Sequence, residues 1–377
     1  MTEGYQICTR CIMDTTDPDI VFGENGWCNH CTAWFERAAI YALPAEERMR
    51  RLHALADEIK RRGRGKDYDC IIGVSGGVDS SFVAIKVKEL GLRPLAVHVD
   101  NGWNSEKAVG NIKRILDPLH IDLFTVVLNW KEFRDLQLAF LRASTPDSEI
   151  PSDHAIVASF CNATSKHRVG YYISGINFRT EGIHVRQWSQ GHLDRRYIES
   201  VYKRFTGKRL KHFPLIPVPT LVRNIVMQRP KAVYVLDYLD YDKQAAKRML
   251  MEQYGWEDYG GKHYESMYTR FYQGWILPHK FGYDKRRMHL STLICSGQIT
   301  REEALREVAE PPYPPDWIEA DTTFVTKKLG ISREEFESIM AAPKKRYSDY
   351  PNLQNHWVMG KGIDLFRFLK HRLRWIS

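Results

Sequence analysis

Asp69-Cys-Ile-Ile-Gly-Val-Ser-Gly-Gly-Val-Asp-Ser-Ser81 is the stretch on which both fold and chemistry turn. Asp69 to Val74 is a short, apolar, β-branched run that reads as a buried strand. It stops at Ser75, Gly76 and Gly77, and a helical pattern resumes at Ser80 with Phe82, Val83, Ile85 and Val87. Adjacent glycines let successive backbone N–H groups point into one concavity, and the helix start adds unpaired N–H groups and positive dipole. With the hydroxyls of Ser75, Ser80 and Ser81, the segment from Val74 through Gly76, Gly77 and Asp79 to Ser81 reads as a phosphate cradle. The Gly-x-x-x-x-Gly-Lys spacing and its lysine are missing, so it is not the Walker loop. Asp79 sits badly beside bare phosphate, which implies Mg²⁺ between them. An ordinary strand-turn-helix corner is the competing reading, and the full Ser-Gly-Gly-Val-Asp-Ser-Ser run after a buried strand weighs against it.

Outward from this loop, strand and helix patterns alternate. Strands are expected at 70–74, 95–99, 123–127 and 171–174, with helices at about 80–90, 105–117, 131–143 and 154–168. That alternation marks an α/β, doubly wound parallel sheet, whose ligands bind beyond the carboxyl ends of the strands. Residues 34–62 read as helix broken near Pro44, and 63–66 as a linker. Residues 214–219 make an extended Pro-rich linker, followed by aromatic and mixed-charge helical segments. Thr300-x-x-Glu303 and Ser332-x-x-Glu335 match capping boxes. The expected organisation is a zinc ribbon over 1–33, a helical linker over 34–66, the nucleotide domain over 67–210, and a mostly helical substrate or partner domain over 211–377.

The second expected strand ends at Asp100, a carboxylate placed for an adenosine or metal contact; Asn101-Gly102 alone reads as a turn. The fourth ends at Ser174-Gly175-Ile176-Asn177, with Glu181 beyond. Further on, Gly260-Gly261-Lys262-His263-Tyr264-Glu265-Ser266, then Thr269, Arg270 and Gln273, then Lys280 and Asp284-Lys285-Arg286-Arg287, form a dense polar series among aromatics. Such a series suits an anionic substrate or departing pyrophosphate. Asp79, Lys262, His263, Glu265, Lys285 and Arg286 are the candidates for chemistry.

Four of seven cysteines stand as Cys8-x-x-Cys11 and Cys28-x-x-Cys31. Two such knuckles close a tetrahedral thiolate site, so structural Zn²⁺ is expected, with disulfides or an iron–sulfur cluster as alternatives. Four thiolates leave no open position, so the zinc is assigned to folding, and His30 is a bystander. The net charge of +9 could serve nucleic acid, a membrane face or anionic small substrates, and it comes in scattered clusters without a long basic tail. No apolar run approaches membrane-spanning length, and Met1-Thr2-Glu3-Gly4-Tyr5 has no signal pattern, so a cytoplasmic protein is expected.

Ser75 to Ser81 resembles the signature loop of the N-type ATP pyrophosphatases. The resemblance implies that ATP is split to AMP and pyrophosphate while a carbonyl-type oxygen of the substrate is adenylated, after which a nucleophile displaces AMP. The residues leave that nucleophile open. Thiolation needs a reactive cysteine pair, and outside the ribbon only Cys70, Cys161 and Cys295 remain, none in a Cys-x-x-Cys. Ammonia needs a glutaminase; residue 2 is threonine and no nucleophile elbow exists, so ammonia would come from another chain or solution.

A closer resemblance bears on that choice. Cys8-Thr-Arg-Cys11-Ile-Met-Asp-Thr-Thr-Asp-Pro-Asp-Ile, Gly26-Trp-Cys28-Asn-His-Cys31, Gly260 to Ser266 and Phe281-Gly-Tyr-Asp-Lys-Arg-Arg287 resemble the N-acetyl sugar amidotransferase family. That implies an ATP-dependent conversion of an acetamido group on a nucleotide-linked sugar to an acetamidino group. The setting is surface-glycan synthesis such as lipopolysaccharide O-antigen. Ammonia would come from a separate subunit resembling the glutaminase and cyclase pair of histidine biosynthesis, with no nucleic-acid partner. A tRNA-thiolating enzyme is the rival, and a non-catalytic adenine-nucleotide sensor the third reading.

Overall fold

The computed structural model describes residues 4–217, 230–261 and 264–356. Among them five strands form one sheet: β1 (Cys70–Gly73), β2 (Pro94–Asp100), β3 (Asp122–Val127), β4 (Tyr171–Ile173) and β5 (Lys231–Val233). Their order is β3-β2-β1-β4-β5 and every pair is parallel. The order reverses between β1 and β4, which opens a crevice at their carboxyl ends.

Side-chain alternation assigns each face of the sheet to its own helices. Cys70, Ile72, Ala96, Tyr171, Ile173 and Val233 pack with α2 (Ala45–Arg62), α3 (Val78–Glu89), α4 (Glu106–Leu116) and α9 (Lys243–Tyr254). Ile71, Leu95 and Val97 face α6 (Ile150–Lys166). Because β1 is covered on both sides, its sequence is an unbroken apolar run with no polar alternation. Gly73 permits the closest approach: a Cβ there would stand 2.6 Å from the Phe160 ring on α6.

A second core gathers α5 (Trp130–Ala143) and α8 (Arg195–Thr206) with the C-terminal helices α10 (Met267–Phe271), α13 (Ile318–Leu329) and α14 (Arg333–Ala341) around Phe133, Phe140, Tyr197, Phe271 and Phe336. Between α10 and α11 (Lys285–Cys295), residues Tyr272–Phe281 wind as a π-helix that contains Pro278, a form often found near functional sites. The remaining helices are α1 (Asn29–Tyr41), the one-turn α7 (Phe178–Glu181) and α12 (Arg301–Ala309).

Pro44 lies between α1 and α2 as expected, and residues 214–217 carry no helix or strand; 218 and 219 lie outside the described residues. Two details differ from the sequence reading. β5 was not anticipated, because a three-residue edge strand offers no period to detect; with α9 it extends the sheet layer past residue 210. Thr300 and Glu303 form the full capping box, whereas Ser332 caps Glu335 N at 3.1 Å without reciprocation. The Glu335 carboxylate instead takes the guanidinium of Arg142 on α5. Tertiary pairing outcompetes the local box.

The return of the chain from α8 is pinned by one acid. Buried Glu132 accepts the backbone N–H groups of Lys211 at 2.6 Å, His212 at 2.7 Å and Phe213 at 2.6 Å. Three amides lose their only strong acceptor in Glu132→Ala, so we expect a stability loss of about 3 kcal/mol in chemical denaturation.

Candidate active site

The loop after β1 is shaped by contacts that exclude side chains. Gly76 has φ +81°, and a Cβ there would lie 2.1 Å from the Ala108 carbonyl on α4. The Gly76 carbonyl accepts Trp256 Nε1 at 2.9 Å. The hydroxyls brace the turn: Ser75 N donates to Ser80 Oγ at 3.3 Å, and Gly77 N to Ser75 Oγ at 3.3 Å. Val74 and Ser81 are buried. Gly175, at the end of β4, lets that strand meet the start of α3, where its Cβ would stand 3.1 Å from Ser80 N. Its smallness therefore serves the closeness of the two strand ends.

Asp79, on the first turn of α3, is met by two residues the sequence reading did not select. Tyr241 OH donates to Asp79 Oδ1, and Lys243 Nζ lies 3.0 Å from Oδ2. Burial alone would lower the lysine; the charges of Asp79, Glu181 and Glu265 overrule it and hold the ammonium above its ordinary value. Glu265 reaches the loop because Ser105 N donates to its carbonyl at 2.8 Å and Met267 N to the Trp103 carbonyl at 2.9 Å. The Tyr259 phenol stands 3.2 Å from where a Gly77 Cβ would sit; burial first, then Glu265 and Asp79, push it up. Thus Asp79, Glu181 and Glu265, distant in sequence, surround one lysine beside the loop.

Other anticipated residues are occupied locally. Asp100 Oδ1 accepts Gly102 N at 2.9 Å, closing its own turn. Ser174 Oγ accepts Ile176 N at 3.2 Å. Asn177 is buried and caps α7 through Thr180 N at 2.9 Å. Arg286 pairs with Asp284 at 2.8 Å and donates to the carbonyls of Glu307 at 2.9 Å and Glu310 at 3.0 Å, joining α11 to the end of α12. Lys262 and His263 lie outside the described residues.

Lys285 belongs to a second charged group. Its Nζ lies 3.8 Å from Glu149 Oε2, which also accepts Gln273 Nε2 from the π-helix at 2.6 Å. Burial would lower Lys285, and Asp147, Glu149 and Asp153 together keep it raised. Burial raises the Glu149 carboxyl. Asp153 is reached by water, yet desolvation, followed by Asp147 and Glu149, pushes its carboxyl up to about 8. His184 and His192 show the same combination, exposed but lowered by desolvation. Asn101 Nδ2, just past β2, donates to Ser152 Oγ at 3.1 Å and ties the start of α6 to the strand ends.

A carboxyl that keeps its proton longer when folded than when unfolded loses stability as pH rises from the ordinary Asp range toward 8. Wild-type thermal stability should therefore fall across that window relative to Asp153→Asn, as followed by unfolding at successive pH values.

The four ribbon sulfurs lie within 4.8 Å of one another. Zinc–sulfur bonds of about 2.3 Å at tetrahedral angles would set neighbouring sulfurs about 3.8 Å apart. Cys8 and Cys31 Sγ are 3.9 Å apart, and Cys11 and Cys28 Sγ 3.7 Å. The donor set fits Zn²⁺. His30 Nε2 lies 2.6 Å from Asp17 Oδ2 and takes no part. The ribbon grips α11: Ile12 N donates to Ser291 Oγ at 3.2 Å, Arg287 to the Ile12 carbonyl at 3.0 Å, and Arg301 on α12 to the carbonyls of Cys8 and Cys11, both at 3.0 Å.

Lys243, which the motifs do not single out, shares a local mark with the anticipated Lys285. Lys243 and Lys285 each open a helix whose N-cap is aspartate, Asp242 and Asp284, with no acid in the first turn. Cations oppose the dipole there, and both go to carboxylates outside their own helix. Tyr241, Tyr259, Asp147, Glu149 and Asp153 carried no such mark.

This is a doubly wound α/β protein with a phosphate-type loop at its switch point and a second charged group around Lys285. Residues 265–364 match the family described as LPS biosynthesis protein WbpG-like, C-terminal domain. The matched stretch holds Glu265, Gln273 and Lys285. Among solved structures, NMN synthetase from Francisella tularensis is similar over 56% of this chain and 87% of its own, at 14% identity and a TM-score of 0.30. The NH3-dependent NAD synthetase from Campylobacter jejuni is similar over 80% of this chain and 99% of its own, at 11% identity and a TM-score of 0.33. No curated protein matches the chain. Among the described residues no helix is long and apolar enough to cross a membrane.

Proposed function

We propose that this chain is an ATP-dependent amidotransferase of lipopolysaccharide synthesis. It would adenylate the acetamido oxygen of a nucleotide-linked N-acetyl sugar and replace it with nitrogen from ammonia, leaving an acetamidino group, AMP and pyrophosphate. The observation that carries the reading is the Asp79–Lys243 pair, which sets a cation beside a loop that glycines keep open. The WbpG-like domain supports the pathway, and the ribbon and second-domain motifs support the sugar.

An amide oxygen leaves poorly, and adenylation converts it to AMP. Lys243, with the N–H groups at the start of α3, would hold the charge that gathers on departing pyrophosphate. Asp79 offers a hard oxygen donor at the loop that would suit Mg²⁺, which when bound with ATP would neutralise phosphate charge. Asp79 and Glu265 orient Lys243 and Tyr259 at the loop. A sulfur-transfer role fits less well: Cys70 is fully buried and its thiol pushed up by burial, and Cys295 lies 3.8 Å from Cys31 in the ribbon.

The testing experiment gives the purified chain ATP with either a panel of UDP-linked N-acetyl sugars or tRNA, and measures pyrophosphate. Sugar-dependent release with ammonium as nitrogen source is expected, and glutamine should serve only when a separate glutaminase is added. Release driven by tRNA alone would overturn the reading.

A further inference from the structure

We infer that a basic cavity at the first turn of α5 binds the diphosphate of the nucleotide-linked sugar, farther along the sheet edge that carries the phosphate loop. The naming of that ligand rests on the amidotransferase reading; the anion site itself does not. The cavity has a volume of about 610 Å³ and lies between the start of α5 and residues 208–212, which follow α8. That size falls within the range of small-molecule sites, roughly 300–1,000 Å³. Lys131, Lys208, Arg209 and Lys211 line it together with His212, and all of them are exposed.

The charges there are unbalanced. Both carboxylates of the lining are already engaged. Glu132 accepts the amides of Lys211, His212 and Phe213, and Asp135 takes Arg134 at 2.8 Å and Lys208 at 3.4 Å. Lys131, Arg209 and Lys211 have no carboxylate partner among the described residues. Such cations around one concavity repel one another until an anion enters. The dipole of α5, 14 residues long, adds to the same potential. Tyr202 on α8 also lines the cavity; it is only 3% exposed, and no carbonyl or carboxylate among the described residues accepts its phenol. A buried hydroxyl without such an acceptor, beside unpaired cations, is matched by the oxygens of a phosphate.

Position in the fold selects the ligand. Leu128 N donates to the Asp100 carbonyl at 3.0 Å, and a Cβ on Gly102 would stand 2.8 Å from the Trp130 ring. The start of α5 is thus seated on the turn after β2, at the carboxyl edge of the sheet. β2 alone separates β3 from β1, and strands lie about 4.8 Å apart, so the ends of β3 and β1 are roughly 10 Å from each other. The loop after β1 is left to ATP. A second substrate with its two phosphates over the cavity can extend its sugar back toward that loop, where the acetamido group must meet ATP.

The test measures binding of UDP to the full chain by isothermal titration calorimetry, without turnover. Replacing Lys131 and Lys211 together by alanine should raise the Kd for UDP about thirtyfold, somewhat less than the product of two charge-assisted contacts at about tenfold each. Both side chains are exposed, so thermal unfolding should be unchanged. Lys113→Ala, an exposed lysine of α4 outside the cavity lining, should stay within about twofold of wild type. A non-hydrolysable ATP analogue with Mg²⁺ should bind wild type and double variant alike, and uridine, which lacks phosphate, should not compete with UDP. Failure of wild type to bind UDP, or equal binding in the double variant, would overturn the site. Equal losses for UDP and the ATP analogue would overturn it too, since they would mark a diffuse field. The two readings fail separately. Variant-sensitive UDP binding by a wild type that releases no sugar-dependent pyrophosphate would keep the anion site and refute the amidotransferase reading. Sugar-dependent release with the same KM for the UDP-linked sugar in wild type and double variant would refute the site and keep that reading.

Discussion

Lys243→Met should lower sugar-dependent pyrophosphate release by a factor of about a hundred to a thousand, the usual cost of one preorganised charge at a reacting oxyanion. The substitution keeps most of the side-chain volume and removes only the charge. The charges of Asp79, Glu181 and Glu265 would then lose the ammonium they share, while Tyr241 still donates to Asp79. Three like charges beside a loop built for phosphate repel ATP, so both KM for ATP and kcat should suffer. Asp79→Asn should also lose release, because it frees Lys243 from the position that the carboxylate gives it. The double variant should lose much less than the product of the two single losses, since each acts through the other. Steady-state pyrophosphate assays on the four proteins measure this; fully multiplicative losses would separate the two residues, and unchanged turnover in either single variant would remove it from the mechanism.

Removing zinc, by chelation or by Cys8→Ser, should have the largest effect on stability, because structural zinc sites contribute on the order of 10 kcal/mol. The described contacts extend that loss to the site. Ser291, Arg287 and Arg301 fasten the ribbon to α11 and α12, and Lys285 opens α11. Ile183 N also donates to Thr292 Oγ1 on α11 at 3.1 Å, so the loop after α7 shares the support. Zinc held by these four sulfurs would thus serve folding, including that of the segment that carries Lys285. Metal analysis should give one zinc per chain, and Cys8→Ser should unfold earlier and form amidine more slowly than its residual pyrophosphate release predicts. Absence of zinc, or iron with sulfide, would contradict the assignment.

The parts legible in the sequence were those carried by local pattern. The buried run at 70–74, the glycine pair after it, the alternation of strand and helix, the break at Pro44 and the two cysteine knuckles each express a contiguous physical rule. The site was legible only where it is contiguous. Asp79 and the loop glycines stand together, and Glu265 and Lys285 stand in polar series. Lys243 lies in an ordinary-looking helix start, and only the tertiary approach of α9 to α3 gives it partners. Asn177 and Arg286 illustrate the opposite outcome: polar residues beside a motif whose side chains are taken by a cap and by carbonyl groups.

The most direct test of the account follows one oxygen atom. A UDP-linked sugar carrying ¹⁸O in its acetamido carbonyl is turned over with ATP and ammonium, and AMP is examined by mass spectrometry. The account predicts one ¹⁸O in the phosphate of AMP and none in pyrophosphate. Unlabelled AMP accompanying amidine formation would show that the acetamido oxygen is never adenylated, and would contradict the mechanism at its first step.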